Sequence, residues 1–316
     1  MTRAEAARTF DHGHRLLSHA AAPAWNPEER IRAAEARLRA GKDLPGATVE
    51  QQIDMLYALT RFPLGRFLLE NQGLNAYWTH ELVTYRPGTF AEHQAGGLEY
   101  QIFEKMPAVL ATRERFHLFR RQLQERLRPG ITIASVPCGL MGDLLSLDFG
   151  AAPDVSLIGI DLDQQALDGA RALALERGMS SQVTLRREDA WAGSLSGEAD
   201  ILTSNGLNIY EPNDERVIAL YRAFFVALKP GGTLITSFLT PPPTVGAESS
   251  WDLSQIDQSS LALQYVLFAH ILEVKWSAFR TQAQTRAQLE RAGFTDIRFV
   301  DDRARMFPTV IARKPE

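Results

Sequence analysis

Residues 131–161 read ITIASVPCGLMGDLLSLDFGAAPDVSLIGID, and this stretch decides the fold. Two short apolar runs, ITIASV and VSLIGID, stand on either side of a glycine turn and the helical run DLLSLDF. Short β-rich runs joined by a helical run describe a strand, a crossover and a second strand beside the first. The grammar then repeats: helix QQALDGARALALERG, strand VTLRRE, strand DILTSNG, helix DERVIALYRAFFVAL and strand TLITSF follow in order. Right-handed crossovers of this size predict an α/β domain with a parallel, doubly wound sheet, whose ligands bind outside the carboxyl ends of the strands.

Upstream of Pro129-Gly130 the pattern is helical. EERIRAAEARLRA places Ile31, Ala34 and Leu38 on one stripe, and Gly41 stops it. Thr48 with Gln51 forms a capping box that opens TVEQQIDMLYALTRF. Pro63 starts PLGRFLLENQ, with Gly73 as its stop. A helix is expected from Asn75 to Tyr85 and a long one from Pro107 to Leu127. The expected organisation is therefore a helical region over 1–128 and a ligand-binding α/β domain over 129–316.

Composition narrows the partners. Lys plus Arg is 34 against Asp plus Glu at 38, a net charge of -4, which gives no electrostatic footprint for nucleic acid or an anionic membrane. Cys138 is the one cysteine, so no internal disulfide framework and no four-cysteine metal site can form. Seven histidines are scattered without HExxH or Cys/His spacing, and no metal is expected. No apolar run approaches the roughly 18 residues of a membrane span. Near the start, Glu5, Asp11, His12 and His14 interrupt any signal-like apolar region. A small-molecule partner and a cytoplasmic location are the resulting expectations; the oligomeric state is left open.

The chemistry gathers at the strand ends. Gly139 and Gly142 let the backbone bend after the first strand. The turn does not match the dinucleotide fingerprint, because Val136 and Pro137 precede Gly139 and Met141 takes a glycine position, so a pyrophosphate site is not indicated. Asp161 ends the second strand 22 residues after Gly139, where a carboxylate accepts ribose hydroxyls. Asp189, followed by Ala190, ends the third strand, where an adenine edge could be read. Acid, glycine turn and acid at successive strand ends describe an adenosine pocket without phosphates.

With PCGLMGD, GIDLDQQALDGAR, EDAW, ADILTSNGLNIYEPND, ALKPGGTLITSF and QLERAGFTDIRFV in this order, the chain resembles the class I S-adenosylmethionine-dependent methyltransferases over roughly residues 105–314. The resemblance implies a Rossmann-like doubly wound fold with a helical N-terminal extension serving as a lid, and S-adenosylmethionine as methyl donor. It places Pro137, Cys138 and Gly139 by the methionine part, Asp161 and Leu162 by the ribose, Asp189 and Ala190 by the adenine, and Ser204 and Asn205 after the fourth strand. Asn205, Asn208 and Tyr210 in SNGLNIYEP are the candidate catalytic groups near the sulfonium, and Tyr77, Trp78 and Tyr85 the candidate lid residues. Trp276 and Phe279 could join them. Cys138 reads as a packed residue, not a nucleophile, and Glu211 as a solvated acid at the start of a helix rather than a base. Where the family usually carries an acid and a second glycine, this chain has Ser135 and Met141.

The resemblance implies methylation of a small molecule in natural-product metabolism. The chain also resembles bacterial cyclases of this fold in its length, helical N-terminal region and unusual glycine turn. Those proteins use S-adenosylmethionine as the substrate, forming azetidine-2-carboxylate and 5′-methylthioadenosine. A third expectation is a non-catalytic S-adenosylmethionine-binding protein.

Overall fold

The computed structural model describes residues 16–17, 20–21, 26–90, 96–245 and 248–316. Glu5, Asp11, His12 and His14 lie outside the described residues. The chain divides into two compact units, Met1–Arg113 with Asp252–Trp276, and Glu114–Trp251 with Ser277–Glu316. The division falls inside a helix rather than at Pro129-Gly130, and the first unit takes in a late segment that the sequence reading assigned to the second.

The described residues of the first unit are mainly helical, with a two-residue ladder, Leu16–Leu17 with Ala20–Ala21, and a bridge between Leu44 and Ala47. Helix α1 (Pro27–Arg39) begins where Asn26 Oδ1 accepts the N–H of Glu28 at 3.2 Å. Helix α2 (Val49–Leu59) opens on the reciprocal Thr48–Gln51 capping box, at 3.3 and 2.8 Å. Helix α3 (Pro63–Asn71) has proline at its first turn. It ends with Gln72 in the left-handed region at φ 55°, so Gln72 rather than Gly73 is the stop. Helices α4 (Ala76–Thr84) and α5 (Pro107–Gln124) follow. The late segment adds a helix over Gln258–Gln264 that continues as a π-helix, Tyr265–Ile271. Its Val266, Leu267, Phe268 and Ile271 join Leu56, Leu59, Leu64, Leu68 and Phe103 in one buried cluster. Each such side chain contributes about 1.5–3 kcal/mol on full burial.

The second unit is built on seven strands: β1 (Thr132–Ser135), β2 (Ser156–Asp161), β3 (Val183–Arg187), β4 (Ala199–Ser204), β5 (Leu228–Ser237), β6 (Thr295–Val300) and β7 (Thr309–Arg313). Their order in the sheet is β3-β2-β1-β4-β5-β7-β6. The first five are parallel, whereas β7 runs antiparallel between β5 and β6. The five strands read from the sequence are thus parallel as expected, and the two later ones, β6 and β7, add an antiparallel edge.

Alternation with period two sorts the strands' side chains between two cores. Ala134, Ile158, Leu202 and Leu234 pack with α8 (Asp214–Ala227) and α9 (Gln282–Arg291) through Tyr221, Phe224 and Leu289. Ile133, Leu157, Ile201 and Ile235 pack on the other face with Phe119 and Leu123 of α5, with α6 (Gly142–Leu145) and with α7 (Gln164–Glu176). Both faces are covered, as a doubly wound sheet requires. The helix expected over DLLSLDF shrinks to the single turn α6. Among the described residues no helix is long and apolar enough to cross a membrane.

Candidate functional site

The site is described within the second unit, at the carboxyl ends of β1, β2, β4 and β5. After β1 the chain turns through Pro137 to Met141. Gly139 has φ +51° and Met141 φ +54°, so a methionine adopts the left-handed conformation that glycine usually supplies. The turn is pinned by the Cys138 N–H donating to the Ile160 carbonyl at 2.8 Å and by the Met141 N–H donating to the Cys138 carbonyl at 2.8 Å. Met141 is fully buried, and it occupies space that Gly159 leaves free on β2: a Cβ there would lie 2.7 Å from Met141 Sδ and 3.1 Å from Cys138 Sγ. Met141 in place of a glycine thus packs the turn against the second strand.

Asp161, at the end of β2, is half-buried. One carboxylate oxygen accepts the Gly139 N–H at 2.9 Å and the other the Asp163 N–H at 3.0 Å. A carboxylate offers about four acceptor positions, so these two bonds do not exhaust it. Burial pushes its carboxyl above the usual range, against the lowering effect of those N–H groups. Asp163, and not Asp161, caps α7 by accepting the Gln165 N–H at 2.9 Å. Leu162 lies next to Asp161, and its carbonyl accepts from Arg187 Nε at 3.2 Å.

Asp189 is exposed and its carboxylate accepts the Trp191 N–H at 3.0 Å, while Ala190 is buried. Burial pushes the Cys138 thiol well up, assisted by Asp161 and Asp143, which leaves it protonated and unreactive. Asp143, in the same turn, was not singled out by sequence. Its carboxyl is pushed up to about 6 by burial, partly offset by N–H groups of Leu144 and its own backbone.

At the other half of the edge, Ser204 is buried at the end of β4 and Asn205 half-buried just after it. Asn205 Oδ1 accepts from Ser237 Oγ at 3.1 Å. Asn208 is buried, and its amide donates to Tyr221 Oη at 3.0 Å and to the Ser237 carbonyl at 2.8 Å. It braces the loop, leaving Asn205 and the half-buried Tyr210 as the loop's reachable groups. Glu211 is held by Arg216 at 2.6 Å and by the Asn213 N–H at 2.9 Å. Arg115 of α5 reaches the same place from beneath, donating to Ser237 Oγ at 3.4 Å. Sequence reasoning missed it, although a cation four residues before buried Phe119 on an otherwise apolar stripe was the available signal.

Tyr77, Trp78 and Tyr85 belong to the helical unit. Tyr77 and Trp78 are buried and stack edge-on at 5.1 Å. Tyr85 bonds Glu104 and lies under Arg113 at 5.0 Å. All three pack within that unit's own core. Trp276 does so too, against Phe268 at 5.6 Å, whereas Phe279 pairs with Leu239 in the second unit.

No protein-family model matches the chain. It is 29% identical over 194 residues to phosphoethanolamine N-methyltransferase 1 of Arabidopsis thaliana, a match covering 60% of this chain and 33% of that protein. The chain thus spans about a third of the length of the curated relative it matches. A solved structure from Bordetella parapertussis, described as a possible exported protein, is 55% identical, with a TM-score of 0.89 over 92% of this chain and 96% of that one. A "putative O-methyltransferase" from Nostoc punctiforme is 14% identical, with a TM-score of 0.50 over 91% of this chain and 95% of that one. At that identity the last likeness is one of fold, and the fold is that of the class I methyltransferases.

Proposed function

We propose that this chain, whose second unit has the class I methyltransferase fold, binds S-adenosylmethionine along β1, β2 and β3 and transfers its methyl group to a small molecule at the ends of β4 and β5. The observation that carries the reading is Asp161: it is half-buried at the end of β2, with its two oxygens oriented by the N–H groups of Gly139 and Asp163. A ribose diol fits that donor set. Asp189 and buried Ala190 would face the adenine, and Pro137, Cys138 and Gly139 the methionine moiety. A natural-product acceptor and a cytoplasmic location belong to the proposal, the latter because a single buried thiol suits a reducing compartment.

Bound S-adenosylmethionine supplies an activated methyl group on a sulfonium. What the chain must add is alignment: a well-oriented nucleophile can gain an effective molarity of roughly 10^5 to 10^8 M without a general base. Asn205 and Tyr210 are placed to orient the acceptor, and Asn208 and Ser237 hold the loop that carries them. Glu211 is committed to Arg216 and so is not offered as a base.

The deciding experiment incubates the purified protein with S-adenosylmethionine alone and then with candidate acceptors, reading products by mass spectrometry. Methyl transfer predicts no turnover until an acceptor is added, then S-adenosylhomocysteine. Release of 5′-methylthioadenosine with azetidine-2-carboxylate from the cofactor alone would replace this reading by the cyclase, and ligand binding without either product would leave a binding protein. Asp161→Ala should weaken S-adenosylhomocysteine binding at least tenfold, about 1.4 kcal/mol, in calorimetry. Unchanged affinity would remove the ribose assignment.

A further inference from the structure

Arg115 carries a buried cation that no carboxylate contacts among the described residues. The residue is 5% exposed, and among the described residues its Nε has no partner and its one hydrogen bond is the 3.4 Å contact to Ser237 Oγ. It forms no ion pair among the described residues. Arg280 is equally buried, at 3% exposed, and shows what a structural guanidinium looks like in this unit. It donates to the Asn208 carbonyl at 3.0 Å, to the Glu211 carbonyl at 2.7 Å and to the Asp214 carboxylate at 3.1 Å. A guanidinium has five N–H donors, and a buried one left without acceptors is costly.

The surroundings of Arg115 leave its donor edge unused. Asp302, the acid that acts on it electrostatically, is spent on backbone N–H groups of Ala304 at 3.1 Å, Met306 at 3.2 Å and Phe307 at 2.7 Å. This clasp sets Phe307, whose ring lies 4.9 Å from the guanidinium carbon. Aromatic cover on a face with a free edge suits paired oxygens of a carboxylate or phosphate. Ser237 ends β5, and its hydroxyl bonds Asn205; Tyr210 also acts electrostatically on Arg115. Asn205 and Tyr210 are half-buried, so the cluster is approached from the half of the site assigned above to the acceptor.

We propose that Arg115 binds an anionic oxygen group, a carboxylate or a phosphate monoester, on the molecule that is methylated, with Ser237 and Asn205 at its rim. The proposal rests on the methyl-transfer reading of the site, which assigns this end to the acceptor. It makes the acceptor an acid or a phosphate ester rather than a neutral phenol or a simple amine.

The test uses the full chain saturated with S-adenosylhomocysteine and follows the melting temperature as acetate or methyl phosphate replaces chloride at constant ionic strength. Wild type should show a saturable rise with at least one anion, and whichever acts more strongly names the group. Arg115→Met should abolish the rise while leaving S-adenosylhomocysteine affinity within about twofold. Arg115→Lys, which keeps the charge and loses the fork, should weaken the response by about tenfold and serves if the methionine variant does not fold. A response surviving in Arg115→Met, or none in wild type, overturns the proposal. So does loss of S-adenosylhomocysteine affinity in either variant, because the guanidinium would then serve the cofactor's own carboxylate. If wild type fails to bind S-adenosylhomocysteine, the cofactor reading falls by itself, and the anion series is read without it by the same criteria.

Discussion

Asp143, in the first turn of α6, shows how one side chain can make stability depend on pH. Its carboxyl has an ordinary value of 3.8 and is pushed up to about 6 in the folded chain by burial. Between those values the folded state holds a proton that the unfolded state has released, so stability falls as pH rises from about 4 through 6 and stays lowered above it. Asp143→Asn should therefore raise stability by about 1 to 3 kcal/mol at pH 7.5 and leave it nearly unchanged at pH 4, read by urea denaturation at the two pH values. If the carboxylate also balances the ammonium of the bound amino acid moiety, in place of the acid that Ser135 does not supply, the same variant binds S-adenosylhomocysteine more weakly. Equal stability gains at both pH values would show that the buried charge is not the cause. Strand-end position and spacing were enough to single out Asp161 and Gly139 as candidates, and the structure joins them by the Gly139 N–H donating to Asp161. Asp143 and Arg115 were not legible, because their significance lies in burial, and a sequence does not display the solvent that a charge has lost.

At the scale of elements, legibility followed periodicity. β1, β2, β4 and β5 announced themselves as apolar runs because both sheet faces are covered, and α7 and α8 as amphipathic repeats, to which the structure adds Asp163 and Asn213 as caps. The β6–β7 pair was harder. β6 has only Ile297 fully buried, and its antiparallel neighbour β7 reads much like a parallel strand, since the direction of a buried run is set by its connections and not its composition. The late π-helix was missed because the extra residue in each of its turns breaks the 3.6 period on which helix recognition depends. Position 141 was read as a departure from the glycine pattern. The structure gives it a cause, since the Met141 side chain fills space that Gly159 leaves free on the strand facing it. Turn and strand are complementary as a pair, and a motif read along one segment cannot show that.

For the whole molecule, two units with separate cores imply separate stabilities. The helical unit is held by a cluster around Leu56, Leu59 and Phe103, and the sheet unit by clusters on its two faces, with no residue in common. The chain passes between them inside α5, at Trp251–Asp252 and at Trp276–Ser277; Val109 of α5 belongs to the first cluster, and Phe119 and Leu123 of the same helix belong to the third. Opening of one core therefore need not open the other, whereas a shared core would force a single cooperative transition. Leu56 is fully buried, so Leu56→Ala should cost about 2 to 5 kcal/mol within its own cluster. Hydrogen exchange read by mass spectrometry should then quicken across α2, α3 and the late π-helix while β1, β4 and β5 keep their protection. Equal acceleration throughout both units would mean that α5 couples them into one cooperative body. Calorimetry supplies the independent check: with separate units the measured unfolding enthalpy of the variant exceeds its van't Hoff value, and with one body the two agree.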